Sequence, residues 1–265
     1  MDYINHEIEH EKEQLGKIKD TLCRDIITNK HFKHINRDIL SNKKFIDIGC
    51  GSGLYVRWSA ENYSRYSAGI DISFDKINYY NKKKMIFDGN SVDLPENAFF
   101  IIGDMQRDLP LKNSTFDVVG IFQALHHYSE DNINFFFKEA KRLSKSGGYL
   151  IISDPNGDHF LRKIGNAIGR YMNFMTPNEC AFGKNKIIET AAKYGYVLEH
   201  IKGMNYTAEI IHHLALAIDY KYPFLGNFVH ILEHPCIFID NFLERFYKLS
   251  LFFGWRLVFV FKMKE

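Results

Sequence analysis

With 265 residues, 46% hydrophobic and 25% charged, the chain is long enough to bury a full core, and its composition excludes a disordered, collagen-like or disulfide-stapled protein. A formal charge of +2 falls far short of the basic stripe that binding through phosphate contacts requires, so nucleic acid is not an expected partner. Cys23, Cys50, Cys180 and Cys236 form neither a Cys-x-x-Cys pair nor a zinc spacing, which predicts reduced thiols and a cytoplasmic setting.

Met1 to Gln14 is rich in Glu and His and lacks the apolar run of a secretory leader. Beyond it, Leu15, Ile18, Leu22 and Ile26 are spaced as one face of an amphipathic helix. Short apolar runs then appear at Phe45–Ile48, Ser67–Asp71, Phe99–Ile102, Phe116–Phe122 and Tyr149–Ser153. Helical stretches separate or follow them at Leu54–Glu61, Phe74–Met85, Asp131–Ser144 and Asn185–Tyr194, the last stopped by Gly195. Tyr196–Met204 and Gly254–Met263 read as two more strands. This alternation predicts an α/β fold with a doubly wound, mostly parallel seven-stranded sheet covered on both faces.

Between the last two strands, residues 205–253 are aromatic and helically spaced. A connection this long inside a domain calls for structure or function of its own. We expect one domain over 1–265, with an N-terminal helical segment at 1–40 and a helical insertion at 205–253 that caps an acceptor pocket. A second small core or an oligomer interface is the alternative. The most apolar stretch, Leu249–Phe261, is short and contains Arg256, so no transmembrane segment is expected, although contact with a membrane surface is allowed.

The decisive stretch is Phe45-Ile46-Asp47-Ile48-Gly49-Cys50-Gly51-Ser52-Gly53-Leu54. A strand feeds a glycine-rich turn that opens a helix, so backbone N–H groups and a helix N-terminus face a ligand with no Cβ in the way. A dinucleotide fingerprint needs Gly-x-Gly-x-x-Gly, but here the third glycine comes one residue early and Leu54 occupies its place. Asp47 also has no role beside a pyrophosphate. Three further signals follow in order: Asp71 at the end of the second strand, Gly103-Asp104-Met105 after the third, and Phe116–Phe122 followed by Gln123-Ala124-Leu125-His126-His127.

An acid, an apolar residue and Gly-x-Gly-x-Gly, with these three signals behind them, resemble the class I S-adenosylmethionine (SAM)-dependent methyltransferases over roughly residues 40–204. The double histidine is most similar to the small-molecule branch that includes ubiquinone- and menaquinone-biosynthesis enzymes. The resemblance implies a Rossmann-like methyltransferase fold, SAM as cofactor, S-adenosylhomocysteine as product and no metal. It also implies that Asp47 and Gly49 hold the methionine end, with Gly51 allowing close approach and the Phe122 carbonyl accepting from the amino group. Asp71 would accept from the ribose hydroxyls and Asp104 from the adenine amino group, while Ile72 and Met105 enclose the ring. Cys50 and Gln123 complete the expected cofactor contacts.

A sulfonium methyl is already activated, so alignment of an acceptor and exclusion of water are the main requirements. The expected reaction is transfer to an O, N or C atom of a small, apolar or aromatic acceptor. His127 is the candidate general base, with His126 and Tyr128 behind it, although we place a structural backbone bond ahead of catalysis for His127. After the fourth strand there is neither the Pro-Pro pair of adenine amino methylation nor a Pro-Cys nucleophile, which removes support for base flipping. Asp154, Asn156 and Asp158 could supply metal ligands but read better as a strand-ending turn. His212 and His213 project about 100° apart on a helix, which disfavours metal binding. The alternatives are a catalytically inactive SAM-binding or scaffold protein of the same fold, and a membrane-surface methyltransferase acting on a lipid-like acceptor.

Overall fold

The computed structural model describes residues 30 and 32–265, apart from 83–84, 88–89, 93, 105–108, 131, 172–178 and 222. The amphipathic spacing from Leu15 to Ile26 and the candidate adenine contact Met105 lie outside the described residues.

The apolar runs become strands because their alternate residues feed cores on opposite sides of one sheet. In chain order these strands are β1 (Lys44–Ile48), β2 (Tyr66–Asp71), β5 (Ala98–Ile102), β6 (Phe116–Phe122), β7 (Ser144–Pro155), β8 (Tyr196–Met204) and β9 (Arg256–Met263). Ile46, Ile48, Val119, Ile121, Leu150, Ile152, Phe259 and Phe261 share one core with the helices α4 (Ile133–Leu143) and α6 (Lys184–Lys193). Phe45, Val118, Phe122, Ile151, Val258 and Val260 share the other with Phe32, Leu40 and Tyr55. Leu40 ends α1 (Arg37–Leu40), and Tyr55 lies in the first turn of α2 (Leu54–Asn62).

The sheet order is β5-β2-β1-β6-β7-β9-β8. Every neighbouring pair is parallel except those made by β9, which runs antiparallel to β7 and β8. The sheet is therefore the mostly parallel, seven-stranded one that the alternation predicts. Chain order reverses between β1 and β6, and in open α/β sheets ligands bind at such a switch point, outside the carboxyl ends of the strands.

Three features depart from the sequence reading. The helix α3 (Phe74–Lys82) stops before Met85, which instead begins a two-stranded hairpin of β3 (Met85–Phe87) and β4 (Asn90–Val92). Runs of three residues are too short for a period to reveal. A helix α5 (Arg162–Tyr171), unforeseen, follows β7 and packs through Gly165 against Trp255, whose ring lies 3.8 Å from the Arg162 guanidinium. Finally, the last strand begins at Arg256 rather than Gly254.

The insertion comprises α7 (Ala208–Lys221), α8 (Pro223–Ile231), α9 (Glu233–Leu243) and α10 (Tyr247–Phe253). Met204 and Pro155 both pair with Arg256, so the insertion leaves and re-enters the sheet at the edge where β7 ends. A buried carboxylate ties it to the N-terminal segment. Glu244, 4% exposed, accepts from Lys30 Nζ at 3.0 Å and lies 3.3 Å from His34 Nε2. Burial pushes the Glu244 carboxyl up, but the His34 contact and the Lys30 charge outweigh it and hold the pKa at about 2.

A carboxyl whose pKa is lower folded than unfolded adds stability that is present above its ordinary 4.5 and lost as pH falls toward about 2. Thermal melts from pH 6 downward should show Tm falling through that window. Glu244→Gln removes one partner of a buried pair and should cost about 3 to 5 kcal/mol at neutral pH, with a flatter acid profile below it.

Candidate active site

At the end of β1 the chain turns back on its neighbour. The Gly49 and Cys50 N–H groups donate to the Ile70 carbonyl at 2.8 and 3.0 Å. Gly49, Gly51 and Gly53 then take φ of 76°, 52° and 78°, in the left-handed region where a side chain is strained. The Gly51 N–H donates to Asp71 Oδ2 at 2.7 Å, and the Ser73 N–H to Asp71 Oδ1 at 2.9 Å. Ser73 Oγ accepts from the Lys76 N–H at 3.3 Å, so Ser73 caps α3 and Asp71 instead braces the glycine turn. Each carboxylate oxygen of Asp71 has a second lone pair beyond these bonds.

Asp47 lies in β1 on the face of Phe45, opposite Gly120 in the register, and is fully buried. Neither of its oxygens completes a hydrogen bond among the described residues. Burial raises its pKa well above the carboxylate range; the nearby Phe122 N–H lowers it, and the Asp71 charge raises it further. An acid held this way is a receptor for a cation that restores its charge. Cys50, also buried, packs its sulfur against Gly69, and its thiol is pushed up first by burial and then by Asp71 and Asp47.

Phe122 ends β6 with its ring stacked 4.3 Å from Tyr55, and Phe32 of the N-terminal segment lies 5.5 Å from both rings. Directly after it, Gln123 has φ 57°, strain of a kind that collects at functional sites. Its N–H and its Nε2 both donate to the Ser153 carbonyl, at 2.8 and 3.3 Å. Ile72 follows β2 and Asp104 follows β5, both half-buried. The structure thus brings Asp47, Gly49, Cys50, Gly51, Asp71, Ile72, Asp104, Phe122 and Gln123 to the carboxyl edge of four adjacent strands.

The two histidines occupy a 3₁₀ turn, Leu125–His127, their ring centroids 4.2 Å apart. His126 Nδ1 lies 2.9 Å from Asp154 Oδ1 in β7. Burial, then the neighbouring His127, lowers the His126 pKa against the pull of Asp154 and Glu179. His126 is therefore neutral near pH 7, with Nδ1–H directed at the carboxylate and a lone pair on Nε2. His127 Nδ1 lies 3.8 Å from Glu179 Oε1, and the His126 carbonyl accepts from the Cys180 N–H at 2.8 Å, which holds this segment in place.

Sequence reasoning missed Glu179, since neither its neighbours nor its spacing mark it. His126, His127 and Glu179 offer ligand atoms within 4.8 Å of one another, a grouping absent from the metal-free reading. The residues weighed there as metal ligands do other work. Asp154 holds His126, Asn156 bonds the Gly254 carbonyl at 2.9 Å, and Asp158 accepts from the Lys184 N–H at 2.9 Å. His212 bonds Glu233 at 3.0 Å.

A Cβ at Gly53 would sit 2.1 Å from the Phe100 ring. Gly53→Ala should lose about 1 to 2 kcal/mol from the left-handed backbone alone, and more from the clash, read by urea denaturation. Adding Phe100→Ala should relieve the clash and leave the backbone part.

Residues 46–152 match the family described as methyltransferase domain. The chain is 28% identical over 122 residues to a phosphoethanolamine N-methyltransferase of Plasmodium falciparum, an alignment spanning 44% of this chain and 41% of that protein. It is 27% identical over 179 residues to a ubiquinone biosynthesis O-methyltransferase of Nitrosomonas europaea, spanning 63% of this chain and 69% of the relative. The chain thus covers less than half of the first relative's length and about two thirds of the second's. An S-adenosylmethionine dependent methyltransferase structure from Mesorhizobium loti shares the fold, with a TM-score of 0.54 at 15% identity over 88% of this chain and 96% of that one. Glycine turn, strand order and family match agree: residues 46–152 match a methyltransferase domain, set in a sheet shared with S-adenosylmethionine dependent methyltransferase structures.

Proposed function

We propose that the protein transfers a methyl group from SAM to an O, N or C atom of a small, apolar or aromatic acceptor. The observation that carries this reading is Asp47: a fully buried acid, its oxygens without a completed hydrogen bond among the described residues, beside a turn of three left-handed glycines. That pair fits the ammonium and backbone-facing end of an amino-acid ligand and has no use for a pyrophosphate. Bound SAM supplies a methyl on a sulfonium, activated without metal or covalent nucleophile.

The chain's own residues supply grip, alignment and dryness. Asp47 takes the ammonium with the Phe122 carbonyl beside it, while Gly49 and Gly51 let the backbone close on the ligand. Asp71, already bracing Gly51, has lone pairs left for the ribose hydroxyls. Asp104 and Ile72 border the adenine position, Cys50 and Gln123 wall the cleft, and residues 205–253 cap the acceptor side. We assign His127, flanked by Glu179, the role of general base for an acceptor that must lose a proton, in place of the structural role the sequence favours. The name of the ubiquinone biosynthesis relative favours an oxygen acceptor and that of the phosphoethanolamine relative a nitrogen acceptor.

Calorimetric titration with SAM and S-adenosylhomocysteine tests the reading. Asp71→Ala should weaken both by about 2 to 4 kcal/mol, and identical affinities would refute the assignment. Because Asp47 is raised by burial, capture of a cation should expel its proton, so affinity should rise with pH up to its unliganded pKa. Titrations in buffers of differing ionisation enthalpy should detect proton release in wild type and none in Asp47→Asn. His127→Asn should lower kcat by about a hundredfold with SAM affinity unchanged, and Glu179→Gln should shift the pH profile.

A further inference from the structure

Among the described residues, the insertion carries large apolar groups outside and its acids inside. More than half of the exposed large apolar side chains among the described residues lie in 205–253, including Phe238 at 77%, Phe224 at 73% and Phe252 at 61%. Aromatic contacts continue this surface beyond the insertion: Phe252 packs on Phe253 at 4.8 Å and on Phe160, before α5, at 6.3 Å, and Phe242 packs on Phe246 at 5.6 Å. A monomer facing only water rarely exposes so many large apolar groups together.

Charge decides what covers them. The described carboxylates of the insertion all point inward and are partnered. Glu209 pairs with Arg256, Glu233 bonds His212, Asp240 caps α7 through the Thr207 and Ala208 N–H groups, and Glu244 holds Lys30. Arg245 and Lys248 are exposed between Phe242 and Phe252, and Lys163 and Arg170 are exposed on α5, a helix with no acidic residue. A second protein copy would meet the same basic rim and be repelled. Apolar rings within a basic rim match the interface of an anionic bilayer, where rings enter the acyl boundary and basic groups meet headgroup phosphates. No helix among the described residues is long and apolar enough to cross a membrane, so contact is at the surface.

We propose that residues 205–253, with Phe160 and α5, dock the protein on an anionic lipid surface. The insertion joins the sheet at the edge that carries Gln123 and the histidines, so docking turns the acceptor side toward the bilayer. That last consequence, an acceptor drawn from the membrane, rests on the methyltransferase reading above; the docking surface does not.

Flotation of the full chain on density gradients tests the docking. The protein should rise with vesicles of phosphatidylcholine mixed with phosphatidylglycerol, less with pure phosphatidylcholine, and less as salt increases. Phe238→Asp with Phe242→Asp should lower binding to the mixed vesicles at least about tenfold, and Arg245→Glu with Lys248→Glu should do the same while leaving the weak binding to phosphatidylcholine. Circular dichroism melts and SAM titration check that the variants are folded. Failure to float on any vesicle, or variants that float like wild type, would overturn the proposal. So would a dimer in sedimentation equilibrium that Phe242→Asp dissolves. Loss of SAM binding with flotation intact would sink the methyltransferase reading alone.

Discussion

The hydrogen bond from the Gly51 N–H to the Asp71 carboxylate, 2.7 Å long, joins the ends of two parallel strands at the point where the chain must change direction. Without it the left-handed turn after β1 would keep the Ile70 carbonyl and its own Gly53 N–H to Cys50 carbonyl bond of 2.8 Å, with no tie to the head of α3. With it, the turn is fixed from both sides and the start of α2 is aimed at the sheet edge. The same carboxylate holds the Ser73 N–H at the head of α3, so two crossovers are set by one side chain. A glycine turn tolerates this because no Cβ competes for the space, and a Cβ at Gly53 would strike Phe100.

Around that turn, burial and charge divide the work. Asp47 is costly where it stands: desolvated, with neither oxygen completing a hydrogen bond among the described residues and a second carboxylate near enough to raise its pKa further. Natural folds keep such groups where a ligand completes them. Across the switch point the problem is solved the other way, with carboxylates supplied to the histidines. Asp154 holds His126 in one tautomer, and Glu179 stands beside His127. On one side of the edge a buried acid stands without a hydrogen-bond partner among the described residues, and on the other two imidazoles stand beside carboxylates.

The insertion and the N-terminal segment meet over Glu244, and Phe32 reaches from that segment onto the Tyr55 and Phe122 rings. The ring that ends β6 is therefore covered by a residue of the N-terminal segment. The described acids of the insertion are buried, while most of its large aromatic side chains and its Arg245 and Lys248 are exposed.

Every strand of the main sheet was legible in the sequence, because a short run of apolar residues between helical stretches is a local signal with a local cause. Legible too was the Gly49-to-Gly53 turn, whose backbone demands glycine whatever surrounds it, and the order of the acids behind it. The three-residue strands at Met85 and Asn90 left no period to read, and α5 lay hidden behind a stretch with two glycines. Tertiary structure alone decided that Asp71 braces the glycine turn, that Glu179 stands beside His127, and that the acids of the insertion face inward. Each of these depends on which side chains meet across sequence-distant elements, and no spacing along a chain encodes that.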